Sequence, residues 1–211
     1  MERIDIPDVE QVFERLILPF YAIKRDMLIP TERRNETDAE HSWSVGILAC
    51  MMAPIIAPEL DIGKIAQLGY VHDLVEIPAG DTSIWDQENV KTKSTREKQA
   101  LEVLKKAYSG YEWLVENIED YEEKLSAESK YIWAVDKLAA MTMRYLDCRD
   151  GGRYYVEIGL TKPDFFAGIG PTRQKARAHV VVGHLFDKMV TKVAEHDDWF
   201  AAESDQSSSC D

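Results

Sequence analysis

Three polar residues interrupt an apolar stretch of the sequence at Tyr70–Thr82. The stretch reads YVHDLVEIPAGDT and places His72, Asp73 and Glu76 among residues expected in a core. Burying an unpaired charge among apolar side chains is costly. Either the three side chains satisfy one another in a structural network, or a doubly charged ion lies between them.

Two further polar residues have apolar neighbours on other predicted helices, His41 in DAEHSW and Asp136 in YIWAVDKLAA. Imidazole nitrogens and carboxylate oxygens suit Co²⁺, Mn²⁺, Fe²⁺, Ni²⁺ or Mg²⁺, and no thiolate accompanies them as a structural zinc site would require. Each residue alone is more often an ordinary core or surface residue. Together, His41, His72, Asp73 and Asp136 are candidates to hold one divalent metal ion with positions open for water and a phosphate oxygen.

The elements that must position these residues are predicted to be helical almost throughout. Apolar residues recur at helical spacing, and Pro, Gly and capping residues set the boundaries. The predicted helices are Val9–Lys24 with a break at Pro19, Ala39–Ala53 capped by Asp38, Asp61–Ile77, Ser94–Ala107, Tyr111–Tyr121, Ala127–Cys148 and Thr172–Glu195. The predicted loops are Asp26–Asp38, Asp81–Thr95 and Arg149–Pro171. The sequence thus predicts an all-α, single-domain bundle over residues 1–200 and a disordered Ser-rich tail at 201–211.

Composition restricts the class of function. The 211 residues include 38 acidic and 25 basic ones, a net charge of −13, which argues against a nucleic-acid or anionic-membrane surface. Three scattered cysteines form no CxxC pair and no disulfide framework. The charged start is no signal peptide, and no run of about 18 apolar residues is present to span a membrane. A cytoplasmic protein is expected.

The motifs resemble those of the HD-domain metal-dependent phosphohydrolases, in which the order is H…HD…D. AEHSWSV at 39–45, HDLVEIPAGD at 72–81 and AVDKL at 134–138 are similar to the bacterial 5′-deoxynucleotidases and their eukaryotic HD-domain-containing relatives. The resemblance covers residues 10–150. It implies an HD-type helical fold, one divalent metal ion, a homodimer, and hydrolysis of (deoxy)nucleoside 5′-monophosphates to nucleoside and phosphate.

Two carboxylates beyond the ligand set are candidates for catalysis. Glu76 lies one helical turn after Asp73, so it can act as a general base or position water. The alternative is a solvated carboxylate at a helix end. Asp81 keeps the HD-x₂-E-x₄-D spacing of the resembled branch, which implies a role near the nucleophile and leaving group, with a turn cap as the alternative. Glu40 is expected to orient a ligand or to cap the helix.

A phosphate ester also needs cations. Arg25 and Arg34 precede His41, and the resembled family uses an arginine at about the position of Arg25; an ordinary surface arginine is the alternative for each. An aromatic residue commonly follows that arginine in the bacterial relatives and helps to reject ribose. This chain has Asp26 there, which leaves the choice between deoxyribose and ribose open.

Two other functions remain open. The enzyme could cut nucleoside di- or triphosphates or another phosphorylated metabolite, although more cations would then be expected. A non-catalytic HD-fold binding module is the third hypothesis, and Glu76 and Asp81 count against it. For the homodimer, Trp133, Trp199 and the last helix are the predicted interface.

Overall fold

The computed structural model describes residues 8–203, which are mostly helical. The elements are α1 (Val9–Val12), a π-helical turn (Phe13–Ile17), α2 (Leu18–Ala22), β1 (Lys24–Ile29), β2 (Arg34–Thr37), α3 (Asp38–Ile56), α4 (Ile62–Val71), α5 (Glu76–Ala79), α6 (Gln87–Ala107), α7 (Glu112–Glu123), α8 (Ala127–Arg149), α9 (Tyr154–Glu157), α10 (Lys162–Gly168), α11 (Gly170–Ala176), α12 (Val180–Ala194) and a 3₁₀ turn (Asp197–Trp199). The predicted helical class is confirmed. The first seven residues and the predicted tail beyond Glu203 lie outside the described range.

The predicted loop at Asp26–Asp38 is wrong, because β1 and β2 pair there as a two-stranded sheet. Most residues of β1 are charged or only half-buried. The strand therefore lacks the alternation of apolar and polar residues by which a strand is recognised in a sequence. Arg33 turns the chain between the strands with a left-handed φ of 53°. The side-chain amide of Asn35 donates a 2.7 Å hydrogen bond to the carbonyl of Arg25, which fixes Arg25 across the hairpin.

Helix α3 begins with a capping box. The Thr37 hydroxyl accepts a hydrogen bond from the Glu40 amide at 3.2 Å, and the Glu40 carboxylate accepts one from the Thr37 amide at 2.9 Å. Thr37 is therefore the N-cap of α3, in place of the predicted Asp38. Glu40 takes part in this cap, which is one of the two roles predicted for it. The helix also continues past Pro54 to Ile56, since a proline this near the end disrupts little of the hydrogen-bond ladder.

Helices α3 and α4 meet at two glycines. A Cβ on Gly69 would lie 2.7 Å from the Cα of Gly46, so the backbone of α3 leaves no room for a side chain at Gly69. Asp61 caps α4 as predicted, accepting from the Gly63 amide at 2.7 Å. The predicted helix through Ile77 is interrupted after Val71, because the chain turns before α5 begins. This turn contains His72 and Asp73.

Later boundaries also differ from those predicted. Helix α6 starts at Gln87, well before Ser94, because Asp86 caps it by accepting from the Asn89 amide at 3.1 Å. Its first turns are polar and carry no apolar periodicity. The predicted irregular connection Arg149–Pro171 contains two short helices, and the predicted last helix is divided between α11 and α12.

The chain divides into two compact units. The first comprises the described residues up to Met27 together with Asn35–Ile132. Its buried core cluster consists of Phe20, Val71, Leu74, Val75, Ala100, Leu101, Leu104, Tyr108, Leu114 and Ile118. Three members of this cluster flank His72 and Asp73 in sequence, so the candidate ligands are anchored in the core of this unit.

The second unit comprises Leu28–Arg34 and the chain from Trp133 onward. The ring of Tyr155 stacks on Phe200 with centroids 5.2 Å apart and meets Phe165 edge-on at 5.3 Å. The buried carboxylate of Asp147 pairs with Arg33 at 3.3 Å and Arg144 at 3.5 Å within this unit. The single-domain organisation predicted from the sequence stays a prediction.

One helix in the described range, α3, is long and apolar enough to cross a membrane on length and composition alone. It also buries Asp38 and His41 near its start and Val45 and Ala49 further along. A single helix of this kind is weak evidence for a membrane span, because core helices also satisfy these criteria.

Candidate metal and catalytic centre

The structure brings His41, His72 and Asp73 together within the first unit. One ligand atom from each lies within 4.8 Å of the other two. The Asp73 Oδ2 atom is 3.3 Å from His72 Nε2 and 3.9 Å from His41 Nε2. Metal–ligand bonds of about 2.0–2.2 Å separate ligand atoms by about 3 Å when adjacent and about 4 Å when opposite. The three side chains therefore fit around one divalent ion.

The ring of His72 has the tautomer that a metal ligand needs. Its Nδ1 lies 3.0 Å from the Gly69 carbonyl, and because a carbonyl only accepts, Nδ1–H is the donor. Nε2 then presents its lone pair toward Asp73, and this atom is buried with no hydrogen-bond partner among the described residues. The side chain is 1% exposed. An orphaned, buried imidazole nitrogen beside a carboxylate supports a cation site.

His41 is oriented by a carboxylate that the sequence analysis did not identify. Its Nδ1 lies 3.4 Å from Oε2 of Glu36, which is buried at the end of β2. Metal-ligating histidines commonly donate their second ring N–H to such a carboxylate, which fixes the ring and raises its basicity. Glu36 thus has the geometry of a supporting group behind His41.

Arg25, on β1, lies against the same cluster. Its guanidinium is 2.8 Å from Asp73 and 3.2 Å from Asp38 through Nη1, and 3.6 Å from Glu36 through Nε. The side chain is largely buried, so this charge is poorly screened by solvent. Of the two predicted phosphate-binding arginines, Arg25 is therefore beside the candidate ligands.

A second group of carboxylates shares Asp73. Oxygens of Asp38, Asp73 and Glu76 lie within 4.8 Å of one another. Burial, followed by repulsion from Asp73, raises the pKa of Asp38 to about 6, although Arg25 opposes the shift. Burial and the charge of Asp73 likewise raise the pKa of Glu76 well above its ordinary value, against the pull of Lys93. Glu76 is the buried first residue of α5, so the alternative of a solvated helix-end carboxylate is wrong.

Asp81 lies in the loop after α5 and is half-buried. Its charge contributes to the raised pKa values of both Asp38 and Glu76, so it belongs to the same electrostatic environment. The Lys93 ammonium, on α6, is 3.3 Å from Glu76 and 3.4 Å from Glu97. The sequence does not single out Glu36, and for Lys93 it favours a solvated helix start over a lid above the pocket. Tertiary folding brings both residues to the centre from segments without a local motif.

Two predicted site residues belong to the second unit. Asp136 is buried on α8 and pairs with the adjacent Lys137. Arg34 forms an ion pair of 2.6 Å with Glu32, and both side chains are substantially exposed. The assignments of Asp136 as a metal ligand and of Arg34 as a phosphate ligand therefore remain predictions.

Comparison with known proteins supports this interpretation of the motifs. The profile of the HD domain family matches residues 22–168. A predicted metal-dependent phosphohydrolase from Magnetospirillum magnetotacticum MS-1 is similar in structure, with a TM-score of 0.72 and 26% sequence identity over 92% of this chain and 97% of that one. A conserved hypothetical protein from Pyrococcus furiosus shares the fold, with a TM-score of 0.59 and 21% identity over 86% of this chain and 98% of that one. A search of curated proteins found no match.

The family match includes every residue predicted for the site, from Arg25 to Asp136. The position of the chain within the family, next to the 5′-deoxynucleotidases, stays a prediction. What the motifs and the family profile establish together is that the chain belongs to the HD domain family.

Proposed function

We propose that this protein is a metal-dependent phosphohydrolase that converts (deoxy)nucleoside 5′-monophosphates to nucleoside and phosphate. The observation that carries the proposal is the convergence of His41, His72 and Asp73 with the buried cation of Arg25 beside them. The similarity to a predicted metal-dependent phosphohydrolase supports the reaction class. The HD-x₂-E-x₄-D spacing supports the monophosphate substrate.

His41, His72 and Asp73 would hold the divalent ion, with Asp136 proposed as a fourth ligand. When bound, the ion would supply Lewis acidity toward a phosphoryl oxygen and would lower the pKa of a coordinated water. Co²⁺, Mn²⁺, Fe²⁺, Ni²⁺ and Mg²⁺ all suit this mixture of nitrogen and oxygen ligands.

The remaining steps belong to side chains of the chain itself. Arg25 lies beside the candidate metal ligands, where its guanidinium donates to Asp38 and Asp73, and from this position it would bind the non-bridging oxygens of a phosphate at the centre. Glu76 accepts the proton of the attacking water, and burial with the charge of Asp73 raises its pKa, which makes its carboxylate a stronger base. As the P–O5′ bond breaks, the departing O5′ takes up one proton, which balances the proton that Glu76 removed from water, and we propose Asp81 as the group that passes it to O5′.

The test is phosphate release from nucleoside mono-, di- and triphosphates by metal-stripped protein to which Co²⁺, Mn²⁺ or Mg²⁺ is returned. Asp73→Ala should abolish release. Asp197→Ala is a matched control, because His196-Asp197 is a second HD dipeptide whose carboxylate is 88% exposed and pairs with Lys162. Release confined to di- or triphosphates would replace the proposed substrate. No release despite bound metal would favour the non-catalytic binding module.

We also propose a cytoplasmic homodimer. The exposed apolar residues Trp43, Ile47, Met51 and Ile55 recur every four positions along α3 and form one continuous stripe. Trp133 and Trp199, which were predicted at the interface, are half-buried within their own unit. Self-association through α3 is therefore better supported than association through α12. Light scattering should show a dimer that Met51→Lys converts to a monomer; a monomeric wild type would refute the proposal.

A further inference from the structure

We propose that Arg96 is a positioning residue that fixes Asp81 for the reaction. This inference rests on the proposed function for the catalytic role of Asp81, but the contacts that support it are independent of substrate. Arg96 lies on α6, far from the sequence motifs that identified the site.

The guanidinium of Arg96 bridges the two sides of Asp81. Its Nη1 donates to the carbonyl of Ala79, and its Nη2 donates to the hydroxyl of Thr82 at 2.6 Å. Thr82 is buried although it belongs to a loop. One planar guanidinium therefore holds both Ala79, before Asp81, and Thr82, directly after it.

Other hydrogen bonds support the loop on either side of Asp81, among them one that the Ser83 hydroxyl accepts from the Trp85 amide at 3.3 Å. Gly80 ends α5 with a left-handed φ of 77°, and its amide donates to Glu76 at 2.7 Å. The next backbone hydrogen bond in this segment runs from the Asp86 amide to the Ser83 carbonyl at 3.1 Å. Between these two bonds, the clamp that Arg96 provides holds the chain on both sides of Asp81.

The same helix also contacts the proposed general base. Lys93 lies one turn before Arg96 and pairs with Glu76 at 3.3 Å. Helix α6 thus positions both proposed catalytic carboxylates. It holds Glu76 through the ion pair with Lys93, and it holds Asp81 through the contacts of Arg96 with Ala79 and Thr82. Lys98 is an exposed charge on the same helix, so its substitution serves as a control that leaves these contacts intact.

Arginine suits this task better than lysine. Its planar fork donates to two acceptors in fixed directions, whereas an ammonium on a flexible stem acts as a point charge. Because a displacement of about 1 Å in a catalytic group can cost about 100-fold in rate, loss of the clamp should lower turnover more than substrate binding. A residue that only stabilised the fold would not produce this selective effect.

The experiment is a double-mutant cycle with Arg96→Met and Asp81→Asn, assayed for kcat and KM on the full-length, metal-loaded protein. We expect Arg96→Met to lower kcat about 10- to 100-fold and to change KM less than about 3-fold. In the Asp81→Asn background the same substitution should change kcat less than about 2-fold, since Arg96 acts through Asp81. Arg96→Lys should recover part of the lost activity, and the control Lys98→Met should resemble the wild type.

Hydrogen–deuterium exchange of the peptide spanning 79–86 provides a readout that does not need turnover. Arg96→Met should accelerate exchange there and leave exchange in α3 and α4 unchanged. Additive effects in the cycle, an unaltered kcat in either single variant, or unaltered exchange at 79–86 would each overturn the inference. If wild-type protein hydrolyses none of the substrates, the proposed function fails, whereas the exchange experiment still decides whether Arg96 fixes the loop.

Discussion

Replacing Asp38 with asparagine should make the metal-free protein less sensitive to pH. Burial raises the pKa of Asp38 from 3.8 to about 6 in the folded state. A raised carboxyl pKa means that the folded state binds more protons than the unfolded state between these values, so stability is lost as pH rises through this range. Arg25 and Asp73, the charged neighbours of Asp38, remain in the variant.

The size of the effect follows from the two pKa values. A shift from 3.8 to about 6 corresponds to about 3 kcal/mol when Asp38 is fully ionised in both states. Integrating the proton linkage, about 2 kcal/mol of this develops between pH 4 and pH 7. The difference in unfolding free energy, Asp38→Asn minus wild type, should therefore increase by about this amount across that interval.

Urea denaturation of EDTA-treated protein at several pH values measures this difference. Using the difference cancels the contributions of carboxylates that do not interact with Asp38. Glu76 does interact with it, and because the Asp38 charge helps to raise the pKa of Glu76, this coupling increases the difference in the same direction. Glu59→Gln, an exposed substitution in the same unit, controls for the loss of one negative charge. A difference that stays constant, or that decreases from pH 4 to pH 7, would refute the claim that the folded centre holds Asp38 at an electrostatic cost.

Three further predictions concern packing, charge and metal binding. Gly69→Ala should cost about 3 kcal/mol in urea denaturation, because its Cβ would meet the Gly46 backbone at 2.7 Å, whereas Gly110→Ala, with open space around it, should cost little. Arg25→Met should destabilise the metal-free protein by about 3–5 kcal/mol and raise KM, while Arg34→Met should change stability by less than about 0.5 kcal/mol; equal effects would contradict the assignment. Divalent metal at about 100 times its Kd should add about 2.7 kcal/mol of stability, as measured by thermal or urea unfolding, and added EDTA should remove it.

The histidines and the HD pair could be predicted because local patterns carry them. His41 follows a capping signal in a long apolar helix, and His72-Asp73 ends another apolar helix. These local patterns single out side chains that the fold brings within 4.8 Å of one another. Arg25 is predicted by resemblance, although the sequence pattern predicts a loop from Asp26 onward, where β1 continues to Ile29. Polar residues with catalytic or ligand chemistry can thus be predicted from the sequence when apolar runs flank them.

The rest of the site depends on tertiary contacts. Glu36 comes from a four-residue strand, and Lys93 and Arg96 come from a helix whose first turns are polar. Nothing in their local sequence distinguishes them from solvated charges; only folding brings them beside His41, Glu76 and the Asp81 loop. The break after Val71 was missed for a related reason, since the apolar spacing continues through it to Ile77.

The most direct measurement for the central claim is anomalous scattering from crystals of the protein grown with Co²⁺ or Mn²⁺. We predict one strong peak about 2.0–2.3 Å from Nε2 of His41, Nε2 of His72 and an oxygen of Asp73, with Asp136 completing the ligand set. The peak should disappear in Asp73→Ala. A peak elsewhere in the protein, or no peak in the presence of excess metal, would contradict the assignment of this cluster as the metal centre.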